Sequence, residues 1–159
     1  MKEEVYKYLD NLNISYQVVN HPKAYCTKDA DKYIEGYEGV RTKTMFLYNK
    51  NKTNFYLIVM DENKRIDFKK LEEVLQEKKL KFSSDEVLFD KLKLEKGVVS
   101  IFGLLNNKDN IVVLFDEDII NDLPLTFHPN ENDATIFINS EDVIKFLNTL
   151  NVSYKIITI

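Results

Sequence analysis

The sequence predicts an α+β fold: a curved, mixed β-sheet or barrel-like core with helices packed outside it. Three observations lead there. The chain holds 10 Phe and 9 Tyr among many Ile and Val, a composition that favours strands. Several β-rich runs are joined by short polar turns, as in hairpins. Helical stripes interrupt those runs irregularly, unlike the regular alternation of a doubly wound sheet. With 159 residues and 44% apolar content, the chain can bury one core. Charged residues at 30%, with only 3 prolines and 4 glycines, argue against a disordered or repeat-built chain. Residues 1–159 therefore read as a single domain, without a linker.

The elements follow in order. Val5, Tyr8, Leu9 and Leu12 fall at helical spacing, so an amphipathic helix is expected over about 2–12. Ser15 to Val19 reads as a short strand, ended by the pair His21-Pro22. Thr27 is the expected N-cap of a second helix, with Asp29 and Asp31 near its positive end and Gly36 as its stop. Val40–Tyr48 and Phe55–Met60, separated by Asn49-Lys50-Asn51-Lys52, form a predicted hairpin. Asp67 and Ser84 can cap helices whose apolar stripes are Phe68, Leu71, Val74 and Leu75, then Val87, Leu88 and Leu92. Strands are expected at Val98–Phe102, Ile111–Phe115, Thr126–His128 and Ala134–Ile138. Ser140 is placed as the cap of a last helix carrying Val143, Ile144, Leu147 and Leu150. The tail alternates as a strand through Val152, Tyr154 and Ile156.

Several functions are excluded or disfavoured. The charged start, Met1-Lys2-Glu3-Glu4-Val5, has no apolar signal core. No run nears the roughly 18 apolar residues of a membrane span, so a cytoplasmic protein without membrane contact is expected. Cys26 is the only cysteine, and with two distant histidines no metal site is expected. The chain has no GxGxxG, GxxxxGK[ST], HExxH or GxSxG segment. Acidic residues are plentiful but scattered, which gives paired-carboxylate catalysis no support. The net charge of −4 speaks against a protein that grips long nucleic acid, though it leaves room for a local basic rim.

Three segments could carry chemistry. If Met45 and Leu47 face the core, alternation puts Lys43 on the same interior side, where an unpaired amine is costly. A concave site that brings it an anionic or carbonyl group removes the conflict; a frayed strand start with the amine in water removes it too. His128, before Pro129, opens the polar run Asn130-Glu131-Asn132-Asp133, a loop long enough to bind something. His21 also precedes a proline, so the pair by itself is not specific. Gly97 and Gly103 bracket Val98-Val99-Ser100-Ile101-Phe102, either to let a ligand approach backbone amides or as simple turns.

Taken together, these pieces resemble the YbaK/ProX family of aminoacyl-tRNA editing proteins. The likeness runs from about Val5 to Leu150. It is carried by His21-Pro22 with Thr27-Lys28-Asp29-Ala30; Lys43-Thr44-Met45-Phe46-Leu47; Gly97 through Leu104; and Phe127-His128-Pro129-Asn130-Glu131-Asn132-Asp133-Ala134-Thr135. The last segment is similar to the ProX branch. The resemblance implies a free-standing hydrolase that removes alanine from mischarged tRNA for proline, without a cofactor. Its implied catalytic residues are Lys43 and His128. Its implied substrate contacts are Thr44, Gly97, Ser100, Ile101, Phe102, Gly103 and Asn130. The partners implied are the acceptor end of that tRNA, carrying a small amino acid, and prolyl-tRNA synthetase. Thr44 and Ile101 depart from the family's usual asparagine and proline. Removal of cysteine from the same tRNA, a silent tRNA- or synthetase-binding module, and an interaction domain without a tRNA role are the alternatives.

Overall fold

The computed structural model describes residues 1–159. Five α-helices and eight strands alternate along the chain: α1 (Lys2–Asn11), β1 (Tyr16–Asn20), α2 (Thr27–Tyr33), β2 (Thr42–Tyr48), β3 (Phe55–Asp61), α3 (Phe68–Leu75), β4 (Lys81–Phe82), α4 (Asp85–Leu92), β5 (Ile111–Asp116), β6 (Leu125–Phe127), β7 (Ala134–Ile138), α5 (Ser140–Thr149) and β8 (Tyr154–Ile157). The strands form two sheets, β1-β7-β6 and β4-β2-β3-β5-β8. The first is antiparallel; in the second, β3, β5 and β8 run parallel while β2 and β4 are antiparallel to their neighbours. A single bridge, Val40 to Leu125, joins the sheets. The mixed curved sheet is thus present, but no ladder closes it into a barrel.

Strand β3 explains why the larger sheet is buried on both sides. Phe55, Leu57 and Val59 enter a 26-residue core that also takes residues from α1, α4, α5 and the smaller sheet. Tyr56, Ile58 and Met60 point the other way, into an eight-residue cluster with Leu71 of α3 and Leu114 of β5. A strand covered on both faces must be apolar throughout, and Phe-Tyr-Leu-Ile-Val-Met is that pattern. The same alternation in β2 puts Phe46 and Tyr48 in the large core and Leu47 in the small one.

Local signals agree with most of the expected elements. Asp67 accepts a hydrogen bond from the Lys70 amide and Ser84 from the Val87 amide, so both cap their helices. Two caps move by one residue: Cys26 and Asn139, not Thr27 and Ser140, hold the N-cap positions, with no side-chain cap bond. Helix α2 ends at Tyr33, before Gly36, which sits in the following turn at φ +86°.

One expected strand is absent. Val98–Phe102 is not extended; a 3-10 helix spans Ile101–Leu105 instead. Gly97 at φ +88° turns the chain, and the Ser100 hydroxyl accepts the Phe102 amide to start the tight helix. Ile101, Phe102 and Leu104 then plug the large core. An apolar run fits a buried helical turn as well as it fits a strand, and here the turn signals at either side prevail.

Candidate active site

Strand β4 is only two residues long and pairs with Leu47 and Tyr48 of β2. Residues Thr42 to Phe46 therefore form an edge without a strand partner. At one end the Thr42 amide donates to Thr126 Oγ1 (3.1 Å); at the other the Phe46 carbonyl accepts from the Ser83 amide (2.9 Å). Because backbone groups alternate sides along a strand, the amide and carbonyl of Thr44 face the same way, into the gap between.

That gap is a cleft of about 520 Å³. Its walls are α2, the open edge of β2, Glu62 just past β3, the start of α4, the 96–99 loop, and the end of β6. Ala30, Ile34, Met45, Phe46 and Val99 supply apolar surface. Asp31, Lys43, Glu62, Asp85, Lys96 and His128 supply charged and titratable groups. The volume is that of an ordinary small-molecule site and well above the needs of one small amino acid.

Lys43 lies opposite Met60 on β3, on the face that Met45 and Leu47 share, where the smaller cluster gives way to the cleft. It makes no ion pair within the protein. Partial burial pushes its amine below the ordinary lysine range and Arg65 adds to this, against the pull of Asp61 and Glu62. Such an ammonium gains when an anion or a polarised carbonyl meets it.

His128 lies at the end of β6. Its carbonyl accepts a 2.6 Å hydrogen bond from the fully buried Ser100 hydroxyl. Its ring is largely buried, and desolvation lowers its pKa; the backbone of Ala134 opposes this shift, His21 adds to it and Asp31 opposes it. The imidazole is therefore neutral at neutral pH, and its Nδ1 is buried without a hydrogen-bond partner. His21 is tied up elsewhere, with Nε2 3.0 Å from Thr135 Oγ1 and the ring stacked on Tyr33.

The residues singled out in the sequence thus divide. Lys43, Thr44, Gly97 and His128 meet in the cleft wall. Ser100, Ile101, Phe102, Gly103 and Asn130 stand behind it. Ile101 and Phe102 are fully buried core. Gly103 is there for packing, since a Cβ would lie 2.7 Å from Leu94 Cδ1. Asn130, at φ +65°, donates from Nδ2 to the Phe102 carbonyl (3.2 Å). Ser100 and Asn130 together latch the 3-10 helix to the loop that carries His128.

Sequence reasoning missed a pair of carboxyl groups. Asp31 on α2 and Glu62 after β3 both line the cleft. Burial comes first, then the neighbouring Asp31 carboxyl, in pushing the Glu62 carboxyl up to about 8. The two residues are far apart in the chain and sit in unremarkable polar contexts. Asp31 lies near the start of an amphipathic helix, which by itself signals only dipole complementation.

The cleft thus gathers a partly buried amine, a neutral imidazole and an unpaired backbone edge around a recess of small-molecule size. A family model described as the aminoacyl-tRNA editing domain matches residues 21–146. The prolyl-tRNA editing protein ProX of Acetoanaerobium sticklandii is 34% identical over 158 residues, covering 98% of this chain and 96% of the relative. The prolyl-tRNA synthetase associated domain-containing protein 1 of Danio rerio is 24% identical over 150 residues, covering 92% and 81%. Among solved structures, the hypothetical protein APE2540 superposes with a TM-score of 0.77 at 12% identity over 97% of both chains, a likeness of fold. The chain belongs to the aminoacyl-tRNA editing domain family and is an enzyme of the aminoacyl-tRNA deacylase type. No helix is long and apolar enough to cross a membrane.

Proposed function

We propose that this protein acts in trans on mischarged tRNA for proline, hydrolysing the ester that joins alanine to the tRNA 3′ end. The observation that carries the reading is the convergence of Lys43, His128, Gly97 and the Thr44 edge on one cleft, in a chain similar from end to end to a prolyl-tRNA editing protein. A synthetase pocket shaped for proline discriminates weakly against a smaller side chain, since a missing methylene is worth only about 1–3 kcal/mol. A second, smaller sieve corrects the error. The cleft volume suits a terminal adenosine with a small aminoacyl group, and its apolar wall suits an alanyl methyl.

In this reading Lys43 meets the terminal phosphate or the negative charge that develops on the ester carbonyl, where a preplaced cation is most effective. The Thr44 peptide groups and the backbone around Gly97 align the aminoacyl-adenosine. Neutral His128 orients the ester or the ribose through a hydrogen bond and does not serve as a cation. Water attacks the carbonyl carbon, the bond to the ribose oxygen breaks, and the proton passes to that departing hydroxyl. Free alanine and intact tRNA are the products.

The test is deacylation of tRNA for proline charged separately with alanine, cysteine, serine and proline. Alanine is expected to be released fastest and proline spared. Lys43→Ala should lower kcat/KM by roughly 10²–10³-fold, the usual loss on removing one charge-stabilising group. Faster release of cysteine would move the assignment to that substrate. Binding without turnover on any ester would leave a non-catalytic module, and undiminished turnover by Lys43→Ala would remove that residue from the mechanism.

A further inference from the structure

Three phenyl rings line the cleft. Phe46 and Phe127 are buried in the large core, whereas Phe82 is 53% exposed. Phe82 nevertheless has a fixed place. It pairs with Leu47 in the two-residue strand β4, and the next amide, that of Ser83, donates 2.9 Å to the Phe46 carbonyl. Its ring packs edge to face with Phe68 of α3, the centroids 5.1 Å apart. Cross-strand partners share a face, so Phe82 stands on the side of β2 that Lys43, Met45 and Leu47 present. From Leu47 back to Lys43 is roughly 13 Å, at about 3.3 Å per strand residue. Thr126 and His128 lie at the Thr42 end of the open edge, and Phe82 therefore marks the other end. Lys43 and Lys96, both in the cleft wall, make no ion pair within the protein. A fixed, uncovered ring beside free cations is how proteins hold single-stranded nucleic acid: the ring stacks on a base and the cations meet the backbone. Phe89 on α4 is as exposed, but Lys93 lies over its face (5.6 Å) and it does not line the cleft.

We propose that Phe82 is the stacking platform for the adenine base of the tRNA 3′-terminal nucleotide, holding the base at the β4 end of the cleft while the ester lies at the Lys43 and His128 end. This deepens the deacylase reading and rests on it for the substrate class. An adenine face laid on the phenyl removes from water the apolar surface that the protein leaves uncovered there. The contact is remote from the reacting carbon, so its binding energy serves to keep the ester in register with Lys43. An alanyl ester of a simple alcohol has the same reacting group but no base, and it would be held weakly. The ring thus restricts hydrolysis to esters that end a nucleic acid.

The test uses two probes that cannot be hydrolysed, 3′-alanylamido-3′-deoxyadenosine and the same compound with hydrogen in place of the base. Both are titrated calorimetrically into wild type, Phe82→Ala, Phe82→Leu and Phe82→Trp, with thermal melts showing the fold retained. Phe82→Ala is expected to bind the adenosine probe roughly 5- to 100-fold more weakly than wild type, the range for loss of one base–aromatic stack, and the baseless probe equally well. Phe82→Leu keeps an apolar contact with Phe68 and should follow the alanine variant, whereas Phe82→Trp should retain wild-type affinity. The adenine H2 and H8 resonances should move upfield on binding to wild type and not to Phe82→Leu. Unchanged affinity for the adenosine probe in Phe82→Ala, or equal losses for the two probes, would overturn the proposal. A dimer that Phe82→Ala disperses while probe affinity stays constant would show the ring covering a second copy, and would overturn it too. Because the readout is binding, these outcomes are separate from the deacylation result. A base preference that depends on Phe82, without ester hydrolysis, would uphold the platform and overturn the catalytic assignment.

Discussion

Replacing Ser100 by alanine should damage both the fold and the site, in amounts the structure sets. The side chain is fully buried, and its single hydroxyl serves two backbone groups: it donates to the His128 carbonyl at 2.6 Å and accepts the Phe102 amide at 3.2 Å. Alanine leaves both groups without their partner in a dry place. Each stranded group costs about 1–3 kcal/mol, and no new cavity large enough for water opens on loss of one oxygen. Taking the lower half of that range for each gives a loss of roughly 2–4 kcal/mol. For a chain of this size, each kcal/mol lowers Tm by about 2–4 °C, so the variant should melt roughly 5–15 °C below wild type. In urea, with a slope of about 1–3 kcal/mol/M, the midpoint should drop by about 1–2 M at unchanged slope. Because the hydroxyl holds the peptide that carries His128, deacylation should also suffer at temperatures where the variant is fully folded, chiefly in kcat. A stability loss under about 0.5 kcal/mol, with turnover intact, would refute the argument that this hydroxyl latches the histidine loop.

Two further outcomes follow from other contacts. Gly103→Ala forces a methyl to 2.7 Å from Leu94 Cδ1 and 3.4 Å from Leu92 Cβ, so overpacking should cost about 1–3 kcal/mol by chemical denaturation; a neutral substitution would show that Leu94 can swing aside. Glu62→Gln tests the carboxyl held at about 8. An acid whose folded pKa is raised binds its proton more tightly in the folded state, so its contribution is intact below the ordinary value near 4.5 and is lost as pH rises towards 8. Glutamine keeps the neutral shape at every pH. The variant's Tm should therefore match wild type near pH 5 and exceed it by a few degrees near pH 8.5, about 1 kcal/mol after discounting for solvent screening; a constant offset across that window would place the Glu62 carboxyl at its ordinary value.

Most of the scaffold was legible in the sequence because local signals and burial agree there. The hairpin of β2 and β3 has a polar turn between two apolar runs, and Asp67 and Ser84 stand where capping side chains must. The misread segment, Val98–Phe102, shows where such reasoning stops. A β-branched run looks the same whether it pairs with a strand or folds into a core-filling turn, and the deciding contacts, Ser100 to His128 and Asn130 to Phe102, join residues far apart in sequence. The site was legible in part. Lys43 stood out as a charge against the alternation of its strand, and His128 as the first residue of a long polar loop. Asp31 and Glu62 gave no such contrast, since a carboxylate in a helix or after a strand is ordinary until tertiary structure turns two of them toward each other. Closure into a barrel was equally invisible: it depends on whether Val40 and Leu125 start a ladder or stop at one bridge, and they stop.

The shortness of β4 has a consequence for what can reach the β2 border. An uncovered strand border usually invites another polypeptide to add a strand, the common route to unwanted assembly. Here α2, the 96–99 loop and the His128 loop wall in the exposed stretch on its open side, so the unpaired amide and carbonyl of Thr44 lie at the floor of a recess and not on a flat border. The groups that would otherwise recruit a neighbouring strand are thereby turned toward whatever enters the cleft.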